Sequence, residues 1–297
     1  MELSIEGIMP PIATPFVDGR VAHDRLSENL DKWNTTQLAG YVVFGSNGEA
    51  VHLDQEEKLA IIDTAKQNLP SDKLLIAGTG CQSTEATLSL TNLCAERGAE
   101  AALVFTPHYY KAKMDATSLK RHYLSIADGA KIPVLIYNVP QFTGVTVSPE
   151  LVASLAEHPN IIGIKDSSGN IAQVGEMIAT TPPPPDFHVL AGSAGHLLPA
   201  LALGASGGIL ALANIAPQEC CEIFNDFRSG RHAEARELQL KLLPANKAVT
   251  AGFGVAGLKA ALDMVGYFGG DPRPPLVPLG DDRKNELREI LKRANLI

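Results

Sequence analysis

The feature that most constrains the fold is a series of short apolar runs, spaced so that one helix fits between successive runs. They are apolar along most of their length and do not alternate between apolar and polar residues. Strands that are buried on both faces of a parallel sheet have this composition. The runs are Ile8–Phe16, Tyr41–Phe44, Leu74–Ala77, Ala101–Thr106, Val134–Tyr137, Ile161–Lys165, His188–Ala191 and Gly208–Leu212.

The segments between the runs carry the signals of helix starts. Leu53–Glu57 places acidic residues in a first turn, Ser83–Ala86 begins with a capping residue, and Ser148–Glu150 has proline at the first helical position. Eight strands alternating with helices pair in parallel through right-handed crossovers and close a (β/α)8 barrel. A chain of 297 residues with 45% hydrophobic content can bury such a core. An open, doubly wound sheet is the alternative.

The chain continues past the last predicted strand for more than one barrel helix. We therefore expect an α/β chain with two parts, a catalytic (β/α)8 barrel over residues 1–228 and a C-terminal helical extension over residues 229–297. The helical patterns are Ile215–Arg228, Ala233–Leu243, Val255–Val265 and Asp282–Ala294, with breaks at Gly230, Pro244 and Gly269–Pro275.

Composition and charge exclude several classes of partner. The net charge is -8 and no basic stripe occurs, which argues against nucleic acid. No apolar stretch reaches the roughly 18 residues of a membrane span, and the N-terminus has no export signal. The four cysteines form no CxxC pair, and no cluster of histidines and carboxylates occurs. We expect reduced thiols, a cytoplasmic location and no metal cofactor.

Gly252–Gly257 matches the dinucleotide-binding pattern G-x-G-x-x-G. That pattern binds a cofactor only where a strand leads into the glycines and a helix follows. Here the preceding segment, Leu240–Val249, has a helical pattern, and so does the segment that follows. The sequence therefore predicts a loop between two packed helices and no nicotinamide or flavin cofactor.

Three of the predicted strands end in groups that can do chemistry. Lys165 closes an apolar run, where a desolvated ammonium loses its proton more easily and the neutral amine can attack a carbonyl. Tyr137 ends another run, and a third leads into the polar turn Gly45–Glu49, whose N–H groups can hold a carboxylate. Each feature on its own also has a purely structural interpretation: a lysine with its charge in solvent, a tyrosine in the core, and an ordinary turn. Together they lie at the rim where barrel enzymes build their sites.

These residues carry a resemblance to the N-acetylneuraminate lyase/dihydrodipicolinate synthase superfamily. The resemblance implies a class I pyruvate aldolase on a (β/α)8 barrel with C-terminal helices, assembled as a homotetramer, a dimer of dimers. It extends in consistent order from Gly7 to about Leu279. The motifs that carry it are Gly45–Glu49, Thr106–Tyr110, Tyr137–Pro140 with Thr143–Gly144, and Ile161–Lys165.

The resemblance also implies roles for individual residues. Lys165 corresponds to the lysine that forms a Schiff base with the 2-oxo acid, and Tyr137 to the residue that transfers protons. Ser46 corresponds to the hydroxyl beneath Tyr137, and Ser46 with Asn47 to the group that holds the pyruvyl carboxylate. Tyr109 corresponds to a tyrosine that reaches the site of a neighbouring subunit.

The finer motifs resemble 4-hydroxy-2-oxoglutarate aldolase most. They are Gly-Ser-Asn-Gly-Glu, Lys165–Gly169, Leu190–Gly195 and Gly208–Asn214. This implies that Ser167 lies near the distal end of the substrate and that Gly192 and Ile209 line the pocket. Dihydrodipicolinate synthases usually carry an arginine where this chain has Phe142, and phenylalanine cannot bind a second carboxylate.

We therefore expect cleavage of 4-hydroxy-2-oxoglutarate to pyruvate and glyoxylate, or the reverse reaction. The alternatives are dihydrodipicolinate synthesis from pyruvate and aspartate semialdehyde, and an aldolase or dehydratase acting on a 2-keto-3-deoxy sugar acid. A catalytically inactive barrel that works as a binding module is the remaining hypothesis.

Overall fold

A computed structural model of the protein describes Leu3 and residues 5–297. Within that part of the chain, eight parallel strands form one sheet, each followed by at least one helix or helical turn. The strands are β1 (Gly7–Met9), β2 (Gly40–Val43), β3 (Leu74–Gly78), β4 (Ala101–Phe105), β5 (Val134–Asn138), β6 (Ile161–Asp166), β7 (His188–Ala191) and β8 (Gly207–Ile209).

The predicted barrel is confirmed, since neighbours in sequence are neighbours in the sheet and β8 pairs with β1. The ring closes just past the end of β1. The N–H of Ile12 donates to the Val42 carbonyl at 2.9 Å, and the N–H of Val42 donates to the Pro10 carbonyl at 3.0 Å. The doubly wound alternative is therefore wrong.

The first predicted strand, Ile8–Phe16, is too long. Its barrel strand ends at Met9, because Pro10 and Pro11 have no N–H to continue a ladder. Phe16–Val17 instead pairs antiparallel with Arg20–Val21 in a small separate hairpin.

The last predicted strand, Gly208–Leu212, also ends early, at Ile209, and a helical turn follows at Ala211–Asn214. The Asn214 side chain accepts the Ala13 N–H at 3.1 Å and donates to the Pro11 carbonyl at 3.1 Å. This turn therefore attaches the end of β8 to the segment that follows β1.

The helices lie around and beyond the strands. They are α1 (His23–Asn34), α2 (Gln55–Asn68), α3 (Thr84–Glu96), α4 (Ala116–Gly129), α5 (Pro140–Thr143), α6 (Pro149–Leu155), α7 (Ile171–Thr180), α8 (Leu197–Leu203), α9 (Pro217–Arg228), α10 (His232–Lys247), α11 (Gly254–Met264) and α12 (Asp281–Arg293).

The core has two layers, which explains why the strands are apolar on both faces. Along β5, Val134 and Ile136 pack in the large layer between strands and helices, whereas Leu135 and Tyr137 pack in the barrel interior. The interior layer comprises Ile5, Met9, Val42, Ile76, Ala101, Leu103, Leu135, Tyr137, Val139, Leu190 and Ile209.

The C-terminal helices lie where the sequence predicts them, but the predicted break at Pro244 is wrong. Helix α10 continues through Pro244 to Lys247. The proline leaves the carbonyl of Leu240 without its helical partner, and Leu240 is on the exposed side, where water can reach it. The division into residues 1–228 and 229–297 stays a prediction.

The predicted loop at Gly252–Gly257 is wrong: a wider helical turn over Ala248–Gly252 extends α10, α11 begins at Gly254, and only Phe253 lies between them. A helix and not a strand leads into the glycines, as expected, so the dinucleotide pattern lacks the structural context that it needs. Of the helices in residues 5–297, none is long and apolar enough to cross a membrane.

Candidate active site

Lys165 lies inside the barrel, next to Tyr137. In the pairing of β5 with β6, Leu135 is opposite Gly163, Ile136 is opposite Ile164 and Tyr137 is opposite Lys165. Because Tyr137 faces the interior, Lys165 faces it too. The lysine is 2% exposed, and its Nζ lies 4.2 Å from the centroid of the tyrosine ring.

A bulge in β6 sets this orientation. Val134 is opposite Ile161 and Leu135 is opposite Gly163, so Ile162 is an extra residue without a partner on β5. An extra residue reverses the face to which all later side chains point. The bulge therefore places Ile164 against the helices and Lys165 in the interior.

Asp166 holds the ends of β5 and β6 together, a role that our sequence analysis did not find. It is fully buried, and its Oδ2 accepts the Asn138 side-chain amide at 2.6 Å. Its Oδ1 accepts both the N–H of Ser168, at 3.0 Å, and the Ser168 hydroxyl, at 2.6 Å. Asn138 in turn accepts the Val147 N–H at 3.1 Å. The sequence does contain a signal for this pair, since Asn138 directly follows Tyr137 and Asp166 directly follows Lys165.

Ser167 and Gly192 lie side by side at the same rim. The N–H of Ser167 donates to the Asn138 carbonyl at 2.8 Å, and the N–H of Gly192 donates to the Asp166 carbonyl at 2.7 Å. A Cβ atom on residue 192 would lie 1.9 Å from the Ser167 hydroxyl oxygen, so only glycine fits. Ile209 is buried in the interior layer, one strand further round.

The predicted carboxylate-holding turn follows β2. Ser46–Gly48 forms one helical turn between Phe44 and Glu49, which have positive φ angles of 57° and 55°. Such angles are unfavourable for residues other than glycine and often mark functional sites. Parallel strands of a barrel end at one rim, so this turn and Lys165 share a rim. Among the described residues, no hydrogen bond joins Ser46 to Tyr137.

Tyr109 is exposed, whereas the other predicted site residues are buried or partly buried. It lies on the loop after β4, is 78% exposed, and packs edge-on against Tyr110 with ring centroids 5.0 Å apart. The side-chain oxygen of Gln82 accepts the N–H groups of His108 and Tyr109, at 3.0 and 2.9 Å. The loop is thus held in place while the ring stays open to solvent.

Two charged residues near the C-terminus reach the turn after β2, and our sequence analysis assigned them no role. Lys259 on α11 forms an ion pair with Glu49, with Nζ and Oε1 2.7 Å apart. The N–H of Arg273 donates to the other carboxylate oxygen of Glu49 at 2.8 Å. In residues 5–297, no group of three or more His, Cys, Asp or Glu side chains is arranged to hold a metal ion.

Comparison with known proteins gives one consistent family. The sequence model described as "Dihydrodipicolinate synthetase family" matches residues 4–294. The 4-hydroxy-tetrahydrodipicolinate synthase of Thermodesulfovibrio yellowstonii is 38% identical over 293 residues, which cover 98% of this chain and 99% of that protein.

Solved structures agree. The dihydrodipicolinate synthase of Thermotoga maritima superposes with a TM-score of 0.95 and 29% identity, covering 99% of this chain and 100% of that one. A prophage protein of E. coli K12 from the dihydrodipicolinic acid synthase family was solved in complex with pyruvate. It has a TM-score of 0.92 and 32% identity, covering 98% of this chain and 99% of that one.

Proposed function

The chain belongs to the dihydrodipicolinate synthetase family, an enzyme family of pyruvate-dependent lyases, and we propose that Lys165 is the amine that binds its 2-oxo acid. The observation that carries this proposal is the buried Nζ of Lys165, 4.2 Å from the Tyr137 ring at the carboxyl ends of β5 and β6. The E. coli relative that binds pyruvate supports the substrate class.

The chemistry follows from these groups. The neutral amine adds to C2 of the 2-oxo acid, and loss of water leaves an iminium that withdraws electrons. Tyr137 gives its proton to the hydroxyl that leaves as water; its phenolate then takes the proton of the 4-hydroxyl group, the C3–C4 bond breaks, its electron pair enters the iminium, and an aldehyde leaves. The remaining enamine takes a proton at C3, and water then releases pyruvate from Lys165. N–H groups and side chains of Ser46 and Asn47 hold the pyruvyl carboxylate.

Trapping with borohydride tests the proposal. Borohydride reduces an iminium to a stable amine, so pyruvate and borohydride together should add the mass of reduced pyruvate to the peptide that contains Lys165. Lys259 is an internal control, because it is just as buried but has a carboxylate as its partner. Absence of the adduct would contradict the proposal and favour an inactive barrel that only binds ligands.

The distal half of the substrate meets the loop after β5. Helix α5 leaves Phe142 67% exposed, without a charge at that position. Lys111, from the loop after β4, lies beside the same segment: a Cβ atom on Gly144 would be 3.9 Å from its Nζ. A cation here suits a substrate with a second carboxylate better than a deoxy sugar acid, which ends in hydroxyl groups.

For this reason, and because Phe142 stands where dihydrodipicolinate synthases usually carry an arginine, we propose 4-hydroxy-2-oxoglutarate as the substrate, cleaved to pyruvate and glyoxylate. The second candidate is condensation of pyruvate with aspartate semialdehyde, which also carries a carboxylate. The names of the relatives favour this second activity, since they are dihydrodipicolinate synthases and none of those described above is a 4-hydroxy-2-oxoglutarate aldolase.

Both reactions can be assayed on the same protein. We expect faster pyruvate release from 4-hydroxy-2-oxoglutarate than dihydrodipicolinate formation from pyruvate and the semialdehyde. Phe142→Arg should raise kcat/KM for the semialdehyde about tenfold, the effect of one charge-assisted hydrogen bond. Lys111→Ala should lower kcat/KM for both carboxylate-bearing substrates, while Lys113→Ala, on the same exposed turn, serves as its control. Efficient dihydrodipicolinate formation by the unmodified protein would assign the synthase activity instead.

We further propose that Ser167, Gly192 and Ile209 line the pocket, and that Tyr109 completes the site of a partner copy in a homotetramer. The exposure of the Tyr109 ring on a fixed loop supports the second point. Light scattering on the purified protein tests the assembly, and a monomeric, fully active enzyme would contradict it.

A further inference from the structure

We infer that Lys259, on C-terminal helix α11, is a positioning residue for the active site: it fixes Glu49 and, through Glu49, the Ser46–Asn47 turn that receives the substrate carboxylate. This inference rests on the proposed role of that turn. It assigns the C-terminal helices a direct part in substrate binding, although they lie outside the ring of strands.

The ion pair at the centre of this arrangement is sealed from solvent. The side chains of Lys259 and Glu49 are 0% and 1% exposed, and Nζ lies 2.7 Å from Oε1. Among the described residues no hydrogen bond reaches this carboxylate oxygen, so the lysine ammonium is what compensates its charge. Losing the ammonium would therefore leave a buried carboxylate oxygen without a polar partner, which is strongly unfavourable.

Lys259 is itself held rigidly. Its Nζ donates to the Asp271 carbonyl at 3.0 Å and lies 4.2 Å from the centroid of the Phe16 ring. Burial lowers the pKa of the ammonium, and the negative charge of Glu49 opposes this shift. Because these contacts fix the Lys259 ammonium in one place, the ammonium determines where the Glu49 carboxylate lies.

Glu49 passes this constraint to the turn. Its Oε2 accepts the Arg273 N–H at 2.8 Å and lies 3.2 Å from His52 Nδ1, so both carboxylate oxygens are fixed. Its backbone is left-handed, with φ 55° and ψ 39°, and its N–H donates to the Ser46 carbonyl at 3.2 Å. This unfavourable backbone conformation closes the turn that contains Ser46 and Asn47.

A second link between the same parts of the molecule provides a matched control. The Arg273 guanidinium forms an ion pair with Glu57 of α2, with Nη2 and Oε1 2.6 Å apart. Glu57 connects the C-terminal segment to the barrel, as Glu49 does, but it does not belong to the turn. Glu57→Gln therefore weakens the attachment of Arg273 to α2 and leaves the Lys259–Glu49 ion pair intact.

The test measures the pyruvate concentration that gives half-maximal borohydride trapping. In Lys259→Met we expect this concentration to rise about tenfold or more, because the turn that receives the substrate carboxylate loses the buried ion pair that fixes it. Trapping at saturating pyruvate should still reach completion, because Lys165 is intact. Glu57→Gln should change the half-saturating concentration less than about twofold.

The double variant Lys259→Met/Glu49→Gln separates positioning from stability. It leaves no unpaired charge in the interior, so its Tm should recover relative to the single variant. We expect the half-saturating concentration to stay high, because the turn still lacks its anchor. If Lys259→Met does not fold, the half-saturating pyruvate concentration of the double variant tests the inference instead.

Two results would overturn the inference. One is a half-saturating concentration that returns to the unmodified value in the double variant, which would make the pair a purely stabilising one. The other is an equal rise in Glu57→Gln. Failure of the proposed function is distinguishable from both, because the unmodified protein would then show no trapping at all.

Discussion

Lys165→Ala is expected to abolish both borohydride trapping and turnover, because in the proposed reaction the Lys165 amine is the group that bonds to the 2-oxo acid. Lys165→Arg should be equally inactive, since a guanidinium stays protonated and cannot form an imine. The measurements are the mass of the pyruvate-treated protein after reduction and the rate of pyruvate release.

Folding must be checked in the same variants. Lys165 lies in the barrel interior with Nζ over the Tyr137 ring, so its removal leaves the strands and their hydrogen bonds in place. We expect an unchanged far-ultraviolet circular dichroism spectrum and a cooperative unfolding transition. Turnover above background in either folded variant would remove Lys165 from the mechanism.

Tyr137→Phe is expected to separate the two halves of the reaction. The Schiff base should still form, slowly, while carbon–carbon cleavage falls by about 10² or more, as for other losses of general acid–base catalysis. Single-turnover experiments measure the two steps, with borohydride reporting the iminium and a coupled assay reporting pyruvate.

Tyr123→Phe is the matched control, because that hydroxyl donates to the Val104 carbonyl, in the layer outside the barrel interior. It should cleave substrate at close to the normal rate. Near-normal cleavage by Tyr137→Phe would show that another group carries the proton.

Much of the fold was predictable because each strand is buried on both faces. That burial makes the runs apolar, and their spacing gives the order of the barrel. Two of the wrong predictions concerned prolines, whose effect on a strand or a helix depends on the surrounding structure. Pro10 and Pro11 end a strand within an apolar run, whereas Pro244 sits inside a helix, where Leu240, the residue whose carbonyl loses its partner, is exposed.

The placement of the candidate site residues was predictable where they lie at the carboxyl ends of strands. Lys165 and Tyr137 are such residues, and the structure pairs them across β5 and β6. Contacts between distant parts of the chain left no local signal. Nothing around Glu49 or Lys259 indicates that the two side chains meet, and nothing in the motifs brings Lys111 to Gly144.

Because of the bulge at Ile162, the direction in which the Lys165 side chain points depends on the number of β6 residues that precede it. The extra residue decides whether the amine three positions later lies in the barrel interior beside Tyr137 or in the layer beneath the helices. Deleting one residue from Ile161–Ile164 would keep every functional side chain in the sequence and still turn Lys165 away from Tyr137. Insertions in the exposed loop around Phe142 carry no such penalty. For engineering or evolution of this enzyme, length changes belong in the exposed segment around Phe142, whereas β6 does not accommodate a change of one residue in length.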